Sequence, residues 1–240
     1  MSRDERSAPE PPPLELLLVP GLDGTGRLFA PLLEALPRTI APRVIAYPPA
    51  AVTLEAVEGH VASRLPSGRP FAILAESFGG PVAIRVAARR PEGFRAMALA
   101  ATFLRRPGPP VPSFLLGQPL GEFLLRRTLR PSFLRMAMLG GAGTQLVDEA
   151  LEAIRSVPPG ILAARVRAAM RVDVREAFRS LDRPVLHIRA SRDRLIARGR
   201  AAEMKALRPD LQEALLDAPH LVLQTRPVEA AGILADFLRV

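Results

Sequence analysis

The 240-residue sequence predicts an α/β fold: a mostly parallel sheet with helices on both faces and one helical insertion. Three observations carry that expectation. Short apolar runs alternate with segments of helical period along both ends of the chain, the order that builds parallel sheets. One such run, Phe71-Ala-Ile-Leu-Ala75, passes at once into a helical segment through Glu76-Ser77-Phe78-Gly79-Gly80. Between Arg105 and Arg179 no convincing strand occurs. The expected organisation is a disordered lead-in over 1–13, a core over 14–104 and 182–240, and a helical cap over 105–181.

Taken in order, Met1 to Pro13 is polar and proline-rich, which disfavours a packed core. Leu14-Glu-Leu-Leu-Leu-Val19 reads as the first strand; Glu15 interrupts it, and it is too short for a signal peptide or a membrane span. The loop Pro20-Gly-Leu-Asp-Gly-Thr-Gly26 follows, then a helix with Leu28, Phe29, Leu32, Leu33 and Leu36 on one face. No Gly-Lys-Ser/Thr follows the loop and its glycine spacing is not that of a dinucleotide site. Its other use is to offer backbone N–H groups to an oxyanion. Arg43 to Ala46 reads as a second strand. Thr53 is placed to cap a helix burying Leu54, Val57, Val61 and Leu65. His60 on that helix reads as a surface or boundary histidine. Ala96 to Ala100, Pro184 to Arg189 and Leu211 to Leu216 read as further strands. Within the second of these, His187 reads as a core histidine. Pro227 opens a last helix through Ala231, Leu234 and Phe237.

The middle segment reads as amphipathic helices over about Ser113 to Met138, Thr144 to Ser156 and Pro159 to Leu181. It holds twelve arginines against six acids, so +6 of the chain's net +9 lies there. Such a surface can meet an anionic substrate or an acidic carrier protein, or can simply be a solvated helix face. Nucleic acid is not expected: aromatics make up 5%, Trp is absent, and no basic-aromatic platform is found. With no cysteine, disulfides and cysteine-ligated metals are excluded. A cytoplasmic protein without a membrane span is the default expectation.

The chemistry gathers at three strand ends. A strand that turns at once into a helix can hold its turn residue in a strained conformation with the side chain standing out. Ser77 has that place; alanine replaces glycine at the first position of Ala75-Glu-Ser-Phe-Gly79. Asp193 follows the strand ending near Arg189, and His220 follows the last strand. In a parallel sheet such loops meet at one edge. A serine needs a base to take its proton, imidazole can serve near neutral pH, and a carboxylate orients the imidazole. Of three histidines, only His220 lies in a late loop. Asp217 is the rival acid, but three residues from His220 on one short loop it is poorly placed to reach Nδ1. Phe103, Phe114, Leu115, Phe123 and Leu124 are candidates to line a substrate pocket, although apolar helix residues are more often core.

On Val19-Pro-Gly-Leu22, Glu76-Ser-Phe-Gly-Gly80, Arg189-Ala-Ser-Arg-Asp193 and Ala218-Pro-His220 the chain resembles the α/β-hydrolase superfamily, from Leu14 to Leu238. Its size and single cap are similar to small bacterial esterases, among them the pimeloyl-acyl-carrier-protein methyl ester esterase. The resemblance implies Ser77 as nucleophile, His220 as base, Asp193 as orienting acid, and the N–H groups of Leu22 and Phe78 as an oxyanion hole. It implies a serine hydrolase acting on a carboxylic ester or thioester, with no metal or organic cofactor. Two alternatives stay open: a ligand-binding protein without turnover, and a capped lyase or C–C hydrolase using the same triad, of the succinyl-cyclohexadiene-carboxylate synthase type. Pro20 stands where many members have histidine.

Overall fold

A computed structural model describes residues 13–108, 132, 138–140 and 143–239. Six strands form one parallel sheet: β1 (Leu14–Val19), β2 (Ile40–Val44), β3 (Phe71–Glu76), β4 (Phe94–Ala100), β5 (Val185–Ala190) and β6 (Gln212–Leu216). Their order across the sheet is β2-β1-β3-β4-β5-β6. The mostly parallel sheet flanked by helices is the fold class that the alternating pattern predicts.

Because successive strand residues face opposite sides, the apolar runs feed two cores at once. Leu17, Val19, Phe71, Ile73, Ala75, Met97 and Leu99 pack on one side. With them lie α2 (Leu54–Ala62), α3 (Gly79–Ala88) and α7 (Gly199–Leu207). Leu16, Leu18, Ala72, Leu74, Ala96, Ala98 and Ile188 face the other side. There they meet α1 (Ala30–Ala35), α8 (Val222–Thr225) and α9 (Pro227–Leu238). Each fully buried leucine or isoleucine contributes about 1.5–3 kcal/mol, so the four central strands anchor everything that follows them.

Several boundaries differ from the sequence expectation for identifiable reasons. The second strand runs over Ile40–Val44 and includes Pro42. It lies at the sheet edge, where a residue without an N–H is tolerated. The helix expected after the first loop is a 3₁₀ turn, Arg27–Phe29, followed by α1, with Pro31 in the first turn of α1. The Thr53 hydroxyl accepts from the Ala56 N–H at 3.1 Å and caps α2, worth about 1 kcal/mol.

In the middle segment, α4 (Thr144–Arg155) and α5 (Pro159–Arg171) follow the amphipathic pattern. The long helix expected through Leu181 breaks after α5. Val172 is extended, Asp173 bridges to Arg105, and the Val174 N–H donates to Leu104 O at 2.8 Å. The short helix α6 (Arg175–Arg179) then tucks Phe178 into the sheet's own core. Val147, Ala150, Leu151, Ile154 and Leu162 form a third cluster with Leu28 and Leu221, over the loops that leave β1 and β6.

Candidate active site

The site starts from the turn after β3. Ser77 has φ of 52°, a left-handed conformation that costs a non-glycine residue of order 1–3 kcal/mol. Hydrogen bonds hold it there. Its N–H donates to Ala100 O at 3.0 Å, and its carbonyl accepts from the Gly80 N–H at 3.0 Å and the Thr102 hydroxyl at 2.6 Å. A side chain at Gly79 would strike the carbonyl oxygens of Val19 and Pro20. The glycine therefore lets α3 start directly against the end of β1, bringing Ser77 beside the first loop.

Two further strand ends complete the arrangement. Ser77 Oγ lies 3.1 Å from His220 Nε2, and His220 Nδ1 lies 2.8 Å from Asp193 Oδ2. The other Asp193 oxygen accepts the N–H groups of Leu195 and Ile196 at 2.8 and 3.0 Å, which fixes the carboxylate's rotamer. Asp217 turns away: it is exposed and bonds Arg192 Nε at 2.8 Å and the Ser191 hydroxyl at 3.1 Å.

Electrostatics set the imidazole's state. Burial would push His220 down, but the Asp193 hydrogen bond and charge, helped by Glu76, hold it above its ordinary value. Burial likewise would raise Asp193; the hydrogen bond and charge of His220 and the two backbone N–H groups draw it below the usual carboxylate range. Such a pair can take a proton from the serine hydroxyl and stabilise the imidazolium that results. The other histidines have other duties. His187 is buried, which with the Arg189 charge lowers it to about 4. His60 contacts Ala46 O at 2.9 Å on α2.

Phe78 follows Ser77 directly, and the first loop passes beside it. A Cβ on Gly21, next to Leu22, would lie 3.6 Å from Ser77 Cβ. Neither the Leu22 nor the Phe78 N–H meets an acceptor among the described residues. Of the pocket candidates, Phe103 is packed in the sheet's core; Phe114, Leu115, Phe123 and Leu124 lie outside the described residues. Among the described residues, no cluster of three or more His, Asp or Glu could hold a metal, and no helix is long and apolar enough to cross a membrane.

Four residues gain a place here that sequence reasoning did not assign. Thr102 ties the Ser77 carbonyl at the elbow, the sharp turn from β3 into α3. Glu76 is buried beside Ser77 and accepts from Gln224 Nε2 at 3.1 Å; burial raises its carboxyl to about 7 against the opposing influence of His220 and Gln224. Tyr47 and Arg165 reach the first loop. The available signal for Arg165 was its position: it shares a helix face with Leu162 and Ala169, at helical spacing and otherwise apolar. Other arginines of the segment pair locally, Arg175 with Asp173 and Arg179 with Glu176.

Residues 16–232 match the model of the alpha/beta hydrolase family. No curated protein matches the chain in sequence. Among solved structures, a hydrolase from Pseudomonas aeruginosa PA01 is 21% identical, with a TM-score of 0.76 over 98% of this chain and 92% of that one. A lipase-esterase related protein from Clostridium acetobutylicum is 17% identical, with a TM-score of 0.76 over 94% of this chain and 95% of that one. The enol-lactonase from Burkholderia xenovorans LB400 is also 17% identical at a TM-score of 0.76, over 98% and 94% of the two chains. At these identities the neighbours speak for the fold, while the family match spans most of the sequence. The chain therefore belongs to the alpha/beta hydrolase family.

Proposed function

We propose that the protein is a serine hydrolase that cleaves a small carboxylic ester or thioester through an acyl-enzyme. The observation that carries this reading is the unbroken contact from Ser77 Oγ through both nitrogens of His220 to Asp193, with Ser77 held at positive φ. Ser77 attacks the carbonyl carbon as its proton passes to His220 Nε2. Asp193 keeps the Nδ1 proton in place and stabilises the imidazolium. The oxyanion that forms is bound by the N–H groups of Leu22 and Phe78, worth about 3–4 kcal/mol per donor in comparable sites. His220 then protonates the leaving group, and a water that it deprotonates releases the acid. The insertion serves as a cap that shapes the acyl pocket. Cytoplasmic residence belongs to the same reading. An acidic carrier as leaving group finds little support, because Arg165 is buried and Arg175 and Arg179 pair locally.

The test is hydrolysis of nitrophenyl esters of graded acyl length by the parent protein and Ser77→Ala. The expected result is turnover in the parent and a loss of at least ~10⁴-fold in the variant. Equal turnover in both would sink the assignment. If neither reacts, a fluorophosphonate decides: labelling at Ser77 keeps the hydrolase, and no labelling favours a pocket that binds without reacting.

A further inference from the structure

The loop Pro20–Gly24 leaves β1 with several carbonyl groups turned inward. Tyr47 donates its hydroxyl to Pro20 O at 2.6 Å. Arg165, from α5 of the insertion, is 1% exposed. Its Nη1 donates to Leu22 O at 3.0 Å and Asp23 O at 2.8 Å; Nε donates to Ala51 O at 3.1 Å, and Nη2 to Pro48 O at 3.4 Å. The guanidinium also lies over the Tyr47 ring, 5.2 Å from its centroid. Gly24 has φ of 70°, and a Cβ there would lie 2.5 Å from Tyr47 Cδ2 and 2.6 Å from Arg165 Nη1. The loop is thus shaped to receive these two stacked side chains.

A set of backbone carbonyls from two loops needs several donors in a fixed plane. Guanidinium supplies five; an ammonium is a point charge with three donors on a flexible stem. Two of the Arg165 bonds fall on Leu22 and Asp23 themselves. Fixing those two carbonyls fixes the peptide planes on either side of Asp23, and with them the turn that carries the Leu22 N–H.

We propose that Arg165 is a positioning residue: from the insertion, it sets the loop whose Leu22 N–H receives the oxyanion, so that the reaction rate depends on a side chain that touches neither substrate nor Ser77. This rests on the serine-hydrolase reading and extends it. An oxyanion donor acts on the transition state more than on the bound ester, so a displaced loop lowers kcat and leaves KM near its parent value.

The experiment compares the parent, Arg165→Lys and Arg165→Met on a nitrophenyl ester, with fluorophosphonate labelling rates and amide hydrogen exchange. The expected result is kcat lower by ~10–100-fold, less than loss of an oxyanion donor, with KM within about twofold. Labelling at Ser77 should slow in parallel, and exchange should speed up in the peptide spanning 20–26 but not in β1 or α3. Folded variants with parental kcat and labelling rate would overturn the proposal. So would a uniform loss of exchange protection across the sheet, which would make Arg165 an ordinary core residue. Should Arg165→Met fail to fold, Arg165→Lys, which keeps the charge and loses the fork, carries the comparison. A parent that is neither active nor labelled would instead remove the serine-hydrolase reading on which the proposal stands.

Discussion

The two sides of Ser77 are held in place by different means. On the side of the β3–α3 turn, restraint comes from the sheet and its own loops: a positive φ, a glycine pressed on the end of β1, and bonds from Gly80 and Thr102 to one carbonyl. On the side of the first loop, part of the restraint comes from the insertion. Thr25 and Gly24 bond within that loop and Tyr47 reaches Pro20 O, but the carbonyls of Leu22 and Asp23 are held by Arg165, 143 residues from Leu22 in sequence. The turn built into the sheet survives small losses because several bonds hold the same residue. The loop concentrates its dependence on the insertion in one side chain. Under the proposed function, this makes the base and nucleophile robust and the oxyanion loop sensitive to the insertion.

The comparison breaks most sharply at Asp193. Asp193→Asn keeps the shape but removes the charge that raises His220. The expected outcome is a fall in kcat of about 10³–10⁴-fold. Under the proposed function His220 must be neutral to act as base, so in the parent the acid limb of kcat/KM should lie above the ordinary histidine value of 6.5. Without the Asp193 charge the imidazole loses its proton at lower pH, and the residual activity should show that limb displaced downward. A pH profile settles both; an unmoved limb would mean that Asp193 does not govern the imidazole.

A matched pair of smaller changes sharpens the contrast. Tyr47→Phe removes the bond to Pro20 O on the first-loop side; Thr102→Val removes one of two donors to Ser77 O on the other side. Losing a buried partner costs about 1–3 kcal/mol. Tyr47→Phe should lower kcat by ~10-fold. Thr102→Val should stay within about threefold, because Gly80 still holds the carbonyl. Steady-state kinetics beside thermal melts would show whether the order holds; the reverse order would erase the distinction between the two sides.

The same distinction explains what was legible in the sequence. The inner strands could be read because each is a largely apolar run, whereas the edge strand β2, with Pro42 and Arg43, lies earlier than its pattern predicted; the elbow could be read because Glu76 to Gly80 are neighbours. Ser77, Asp193 and His220 could be gathered because parallel topology brings strand ends to one edge. Arg165 could not, since its role depends on where α5 docks, and an arginine count treats it like any surface arginine. The break at Val172 escaped for a related reason. The periodicity through Leu181 continues across it, and only the bridge between Arg105 and Asp173 and the bond to Leu104 O, both contacts with a distant segment, reveal the change of direction.

The smallest expected effect on rate, and the most informative about the buried charge, comes from Glu76. It stands next to Ser77, and burial raises its carboxyl from 4.5 to about 7. In the fold it keeps its proton up to about pH 7, while in the unfolded chain it releases it near 4.5. Between those values folding takes up a proton, so this group's contribution to stability is greatest below pH 4.5 and is lost as pH rises to 7. Glu76→Gln has no proton to lose. The variant should therefore gain on the parent steadily from pH 4.5 to 7 and hold the gain at pH 8, with a ceiling of about 3 kcal/mol from the size of the shift. His187, held down to about 4, acts in the opposite direction below pH 6.5. It is common to both proteins, so the difference between their melting curves reports Glu76 together with its coupling to His220. Activity at pH 8 should change by less than about threefold, because Asp193 remains the main group raising His220 and Glu76 only adds to it. A flat difference across the whole window would mean that Glu76 is ionised in the fold throughout it, and that burial does not raise its carboxyl.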